Sequence, residues 1–476
     1  MSTIKVTNLR GRNGSPTLPD GAVISGVATV TNLKPTNVNV SGAVTATTFD
    51  GSLKSTGTPT LGLGVTINSS GVHVSGICTA GTCFKAGNGA FGPGIGVTIL
   101  GSGDAVLAGV VTATQFVPTV GQLSNRNLMI NGAMQVAQRG ITTSVTSSYA
   151  CDRYRLTFTN TDEAATIAQV ALTSSDTGPW GVGFRYASQI TNGNQTSGAG
   201  AADNVFMKYK YEAQDLAQSG WDYTSSSSYV TLSFWVKSSV AQNFYGWIVT
   251  DDGTQQNYPF ETGSLTADTW TKITKAIPGN SNITMTNDNS AGLALHLVAF
   301  QGTDYTASGV ALDTWAAYAS GTRTPDFTST WYTTDDATFA FTGFQLEVGS
   351  VATPFEHRTY ADDLIKCQRY FQIFGGDVNY SPFGTGAWKT TTAASCNLNL
   401  MSEMRAAPTM VVANQTESSI RSGAANITST TVVLDIASPK VIMYNCNASS
   451  GGTAGHGALH YSAGNHTQTL SFSAEL

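Results

Sequence analysis

Charge is what this chain has least of. Lys, Arg, Asp and Glu make up 11% of its 476 residues, against roughly 25% in an ordinary soluble domain, and the formal net charge is −6. The sequence has no run of basic residues and no interleaving of Arg with aromatics. That excludes a nucleic-acid partner held through its phosphates and, for the same reason, an anionic membrane surface. Long apolar runs are missing too, with nothing near the ~18 uninterrupted apolar residues of a spanning helix, so membrane insertion is not expected. The opening Met1-Ser2-Thr3-Ile4-Lys5-Val6 leads into Arg10, Gly11 and Arg12 rather than an apolar signal core, which predicts synthesis in a cytoplasm without export machinery. Cysteine is sparse and scattered, at 78, 83, 151, 367, 396 and 446. Cys78 and Cys83 have no second pair at zinc-ligand spacing, so free buried thiols are expected and no metal or other cofactor.

What replaces charge is Ser, Thr, Asn and 50 glycines, while hydrophobic residues stand at 41%, with 20 Phe, 17 Tyr and 8 Trp. That is enough apolar surface to offset the entropy of ordering, so disorder is not expected. A module recurs in the first quarter. Leu63-Gly64-Val65-Thr66-Ile67 leads to Val74-Ser75-Gly76, and Ile95-Gly96-Val97-Thr98-Ile99 leads to Leu107-Ala108-Gly109. The step from Leu63 to Ile95 is 32 residues and that from Val74 to Leu107 is 33. The tail Val110-Val111-Thr112-Ala113-Thr114-Gln115-Phe116 is echoed in Ile24 to Val30 and Val40 to Phe49. Short β-branched units of this period cannot bury their own apolar faces and must stack on neighbours or on other chains. Residues 23–122 therefore read as a repeat-containing β shaft, and threefold winding of three chains would bury both its edges and its faces.

Composition changes at Pro118-Thr119-Val120-Gly121. Before it the carboxylates are Asp20, Asp50 and Asp104 alone; after it aromatics become frequent. Alternation predicts strands at 153–158, 229–237, 244–250, 270–277, 292–300 and 338–348, the pattern of an antiparallel sandwich over 123–358. Residues 359–374 read as a short helical connector, with Thr359 as its cap, Asp362 and Asp363 in the first turn, and Leu364, Cys367 and Phe371 on one stripe. Strand patterns then resume at 378–383, 390–400, 408–413, 430–436, 441–446, 457–461 and 467–473, a second, smaller sandwich over 375–476. The fold class is mainly β.

Asn127-Leu128-Met129-Ile130-Asn131-Gly132, with Gln135 and Gln138-Arg139-Gly140, resembles the opening of a domain common in phage tail fibres, and Tyr149-Ala150-Cys151-Asp152-Arg153-Tyr154 resembles the step that follows it there. The segment from Phe344 to Glu356, Cys367-Gln368-Arg369-Tyr370 and the final Ser473-Ala474-Glu475-Leu476 extend the likeness, and the Val-Thr-Ala-Thr repeats are similar to those of fibres from phages of cyanobacteria. The resemblance implies a homotrimeric virion appendage made in the host cytoplasm. Its jelly-roll domain would be similar to carbohydrate-binding modules, and its tip would adhere to a host surface polysaccharide of lipopolysaccharide type without catalysis. By position, residues 1–22 would attach to a tail or baseplate protein. The alternatives are a tailspike depolymerase, which the carboxylate-poor shaft disfavours, and a head fibre or structural connector.

The candidate glycan-binding residues are Tyr380, Phe383, Trp388, Tyr444, His456, His460 and Tyr461 in the tip, with Trp221, Tyr223 and Trp315 in loops of the larger sandwich, since aromatics beside Gly/Ser loops suit adaptable recognition. Trp235, Trp247 and Trp270 lie in strand patterns and read as core. His456 and His460 are four apart, but among glycines rather than on a helix, which disfavours a metal site. Glu347, Glu356 and His357 suggest acid/base chemistry; a structural ion pair of Glu347 with a residue such as Arg139 or Arg153 is the preferred reading. The tip is taken as the recognition element, removable without unfolding the remainder.

Overall fold

A computed structural model describes residues 124–464 and 467–476, together with the backbone of six short strands between Thr60 and Ala108. By contacts the chain divides into a unit of residues 1–114 and a unit of residues 115–476. In the first, Val65–Asn68 forms an antiparallel hairpin with Gly71–Val74, and Gly96–Ile99 forms one with Ala105–Ala108. Each hairpin gains a third strand on its first member, Thr60–Leu61 in one case and Phe84–Ala86 in the other. The two sequence copies thus have the same three-stranded order. The echoes at 24–30 and 40–49 and the attachment segment 1–22 lie outside the described residues.

The larger sandwich packs two antiparallel sheets face to face. The six-stranded sheet runs, in spatial order, Thr271–Pro278, Tyr229–Ser238, Thr338–Val348, Tyr186–Thr191, Thr166–Ala171 and Thr142–Thr143. The seven-stranded sheet runs Ala316–Ala317, Gln256–Ser264, Asn243–Thr250, Ala291–Gln301, Asn204–Glu212, Arg155–Thr159 and Ser148–Tyr149. Alternation decides which side chains meet between them. Val230, Leu232, Phe234 and Val236 point inward to Tyr209, Tyr211, Leu293, Leu295 and Leu297. In Thr338–Val348 the inward set changes from Phe339 and Phe341 to Phe344 and Leu346, because a bulge opposite Ser233 and Trp235 inserts one residue. Gly343 occupies it at φ +68°, and a Cβ there would lie 2.6 Å from the Phe184 ring.

The segments that carry the resemblance close this sandwich. The Asn127 side chain donates to Phe344 O and accepts from Met129 N and Leu346 N. Leu128 N donates to Leu346 O, and Phe344 N donates to Gly132 O. The Glu356 carboxylate accepts from the backbone of Arg126 and Asn127, and Arg358 donates to Asn127 O and Met129 O. A Cβ at Gly132 would sit 2.2 Å from Phe344 O, so only glycine fits. Glu347 accepts from Gln345 and Thr353 and lies 3.9 Å from Arg126. Its role is structural, but its cationic neighbour is Arg126 rather than Arg139 or Arg153.

The helix Tyr360–Gln368 begins as its sequence demands, with Thr359 Oγ1 accepting from Asp362 N. It ends earlier than expected, because Phe371–Gly375 is a strand paired with Thr469–Ser473. That pair and Thr409–Ala413 make a three-stranded sheet facing a seven-stranded tip sheet, whose order is Ala425–Thr428, Ser418–Ser422, Gly457–Ser462, Pro382–Trp388, Ala393–Asn399, Val441–Asn447 and Thr431–Ala437. The smaller sandwich therefore starts at Phe371, not at 375. It is also tied to the larger sandwich by ion pairs. Glu475 pairs with Arg139 at 2.8 Å and with Arg153, while Arg139 also reaches Asp152 at 3.3 Å. Arg369 grips Glu212 with both Nε and Nη2, at 2.6 and 2.7 Å, and Tyr370 donates to the same carboxylate. Arg153, itself buried, stacks 3.4 Å from the centre of the Tyr370 ring. Cys151, Cys367, Cys396 and Cys446 are free and buried, as expected.

Candidate functional site

Burial removes six of the ten candidate residues from any surface role. Trp221, Phe383, Trp388, Tyr444, His460 and Tyr461 are all less than a tenth exposed. Trp221 belongs to the core between the two large sheets, while Phe383, Trp388 and Tyr444 fill the core of the tip. Gly452 leaves just enough space for Trp388, since a Cβ there would lie 2.0 Å from the indole. Trp315 is half-buried as a loop anchor, its Nε1 donating to Pro278 O at 2.7 Å. Tyr223, also half-buried, meets Trp221 edge-on. Tyr380 and His456 remain exposed. The aromatics of the tip are thus mostly its core, and the expected recognition surface does not assemble there.

Trp247 and Trp270 are buried as expected, though in smaller apolar clusters on the outer faces of the sheets, and Trp235 is partly exposed beside one of them. Val230, Leu232, Phe234 and Val236 use the inner phase of their strand, so Trp235 shares the outer phase with Ser233 and Lys237. That phase was legible in the sequence. Around Trp235 is a hollow of about 190 Å³ lined by Phe184, Phe355 and His357, with Ser233 and Lys272 among its polar groups. Lys272 faces Trp235 across the strand pair. Phe355 meets Phe184 edge-on at 4.7 Å, and His357 fixes its ring by a 2.8 Å hydrogen bond to Val182 O. The loop carrying Phe184 is held by Asp176, which accepts from Trp270 Nε1 and Lys237 Nζ at 2.9 Å each and from Thr173 N. Partial burial would raise the Asp176 carboxyl, yet these donors hold it down at about 2. Gly178 lets its loop pack against the indole, since a Cβ there would come within 2.6 Å of the Trp235 ring. Chemically this is a small concave apolar recess with a few convergent polar groups. Trp235 is its half-exposed flat face.

Two constellations that resemble catalytic ones are taken up in structural contacts. Ser418 Oγ contacts His460 Nε2, as a nucleophile contacts its base, but both residues are wholly buried and the second ring nitrogen meets Tyr444 OH at 3.0 Å. Burial holds the His460 imidazole down at about 3, which leaves it neutral and a poor base. Burial also tends to raise the Glu356 carboxyl, but the backbone donors of Asn127 and Arg126 and the Arg358 guanidinium keep it below its ordinary value. Such a carboxylate is a clasp, not an acid catalyst. Among the described residues no group of three His, Cys, Asp or Glu side chains is placed to hold a metal ion.

No family model and no curated protein matches the chain. Among solved structures, a Bacteroides thetaiotaomicron protein described as a candidate sugar-binding protein is similar to it at 11% identity and a TM-score of 0.26, over 47% of this chain and 100% of that one. A family 11 carbohydrate-binding module from Clostridium thermocellum, in complex with a β-1,3-1,4-mixed-linked tetrasaccharide, is similar at 12% identity and a TM-score of 0.21, over 45% of this chain and 98% of that one. Neither likeness is close enough to say what this chain binds.

Proposed function

We propose that the chain is a saccharide-binding adhesin of a virion, a tail fibre that attaches to a host surface polysaccharide, and that the hollow around Trp235 is its sugar site. The observation that carries the reading is a partly exposed indole inside a preformed recess, beside a small apolar cluster on the outer face of the sheet. A pyranose offers an apolar C–H face for the indole, and Ser233, Lys272 and His357 provide a polar rim for its hydroxyls. The repeat hairpins of the first unit and the segments resembling tail fibres support the virion setting, with three chains associating. The exposed Val411, Val433 and Ile436 of the tip give such an assembly apolar surface to cover.

The experiment is adsorption of purified protein to host cells and to an array of neutral and acidic glycans. Trp235→Ala is expected to lose at least tenfold in affinity, about 1.4 kcal/mol, with Lys272→Ala weakening binding less and the circular dichroism of both unchanged. Unaltered binding by both variants would remove the hollow from the function. Release of new reducing ends from the polysaccharide would overturn adhesion in favour of cleavage, and an absence of any glycan or cell binding would leave a structural connector.

A further inference from the structure

The outer face of the seven-stranded sheet, opposite the side that carries Trp235, holds a second arrangement with no part in that site. One row of register partners crosses four neighbouring strands: Arg155 beside Lys208, Lys208 beside His296, and His296 beside Trp247. The His296 and Trp247 rings stack at 4.1 Å and 5°. Phe206 packs against both. Over them the long connection between Ala291–Gln301 and Thr338–Val348 places Arg323, 5.7 Å from the centre of the Trp247 ring and 4.6 Å from that of Tyr305. Lys210 lies two residues along from Lys208, on the same face.

In a chain with 24 basic residues among 476, this concentration of cations is unusual, and it is poorly neutralised. Asp251 is taken by Lys210 at 3.3 Å, and Glu475, beside the same crevice, is taken by Arg139 and Arg153. Arg155 and Lys208 pair with no carboxylate among the described residues. Burial, then Lys210, Arg155 and Arg323, push the Lys208 ammonium down to about 8 against the opposing pull of Asp251. The row also leaves polar atoms without partners: Arg155 Nε, His296 Nδ1 and Trp247 Nε1, the last two on side chains more than nine-tenths buried. Buried polar atoms are rarely left without a partner, and three in one row ask for an explanation. Unpaired cations on a rigid aromatic base, with unused hydrogen-bonding atoms beside them, are complementary to an oxyanion.

We infer that this face is a second binding site, for an acidic saccharide whose carboxylate seats between Arg155 and Lys208. The inference deepens the adhesin reading and rests on it for the sugar body of the ligand; the anionic group is argued from this face alone. An arriving carboxylate supplies the missing counter-charge and favours the protonated Lys208. The groups that set its proton affinity are Arg155, Lys210, Asp251 and Arg323, with the neutral His296 alongside and with Tyr149, Arg153, Glu475 and Leu476, at the end of the chain, lining the same crevice. Because Lys208 is already held down, affinity is expected to fall as pH rises through about 8.

The test is calorimetric titration of the full chain with oligogalacturonate and with its methyl ester, the same sugar without charge. Oligogalacturonate is expected to bind at least tenfold more tightly than the ester. Lys208→Gln and Arg155→Gln should each abolish that difference, with a melting temperature no lower than that of the parent. Trp235→Ala should leave it unchanged. Lys440→Gln, the same charge change on the exposed surface of the tip, should also leave it unchanged. Equal binding of acid and ester, or an equal loss with Lys440→Gln, overturns the inference. So does preference for inorganic phosphate or a DNA oligonucleotide over oligogalacturonate at equal charge concentration. If a neutral glycan binds in a Trp235-dependent way while oligogalacturonate does not bind, this inference fails and the adhesin reading stands. If no glycan of either charge binds, both fail.

Discussion

Glu475 shows how much a single carboxylate can hold. It joins the end of the chain to Arg153, 322 residues away, and Arg153 is buried with its guanidinium against Tyr370 and Tyr209. Removing one partner of a buried ion pair leaves the other charge uncompensated, at a cost of about 3–5 kcal/mol. Glu475→Gln is therefore expected to lower stability by that order in denaturant unfolding; a loss below 1 kcal/mol would show that solvent reaches Arg153. The same pairing means that removing the tip uncovers buried charge in the larger sandwich. His460 gives a different residue-scale prediction. In the unfolded chain the imidazole takes up a proton near pH 6.5, whereas burial holds it down at about 3 in the folded protein. The folded state thus binds fewer protons between these values, so its stability is complete above pH 6.5 and falls as pH drops toward 3. His460→Asn should flatten the acid limb of a plot of melting temperature against pH. An unchanged slope would assign that limb to other groups. Neither Glu475 nor His460 could be given its role from sequence, because proximity across hundreds of residues and burial beneath neighbouring strands leave no local signal.

At the scale of elements the sequence was more transparent. The strand Thr338–Val348 and the capped start of the helix Tyr360–Gln368 follow from alternation and from Thr359 and its aspartates. Elements with mixed polarity, such as Thr166–Ala171 and Ser418–Ser422, were not foreseen, since pairing with a neighbour rather than their own pattern makes them strands. Trp247 and Trp270 are packed as their strand patterns implied, but that their clusters lie on the outer faces of the sheets, with Trp235 partly exposed, follows only from the phase of each strand. Gly343 connects pattern to geometry: it switches the inward phase of its strand, lies at φ +68° and leaves space for Phe184. Gly343→Ala meets backbone strain and a 2.6 Å contact together, and about 2 kcal/mol of destabilisation or more is expected. A thermal melt within 1 °C of the parent would show that the bulge can relocate.

For the whole molecule, the mainly β architecture and the division into a repeat unit and sandwiches were legible from periodicity and composition. Association of chains remains the expectation drawn from repeat faces that one chain cannot bury. Static light scattering of the full-length protein is expected to report three chains, and a monodisperse monomer would rule out the threefold shaft. The segments that carry the resemblance hold the larger sandwich shut, a role their sequence did not reveal.

That closure has a mechanical meaning. The polypeptide enters the larger sandwich at Arg126 and leaves it at Arg358, and these two places are stitched to each other through Asn127, Leu346 and Glu356. Tension applied between the entry and the exit is borne first by this short seam, not by the ladders of either sheet. A load passing along the chain by this seam bypasses the faces of both sheets and leaves their shape undisturbed.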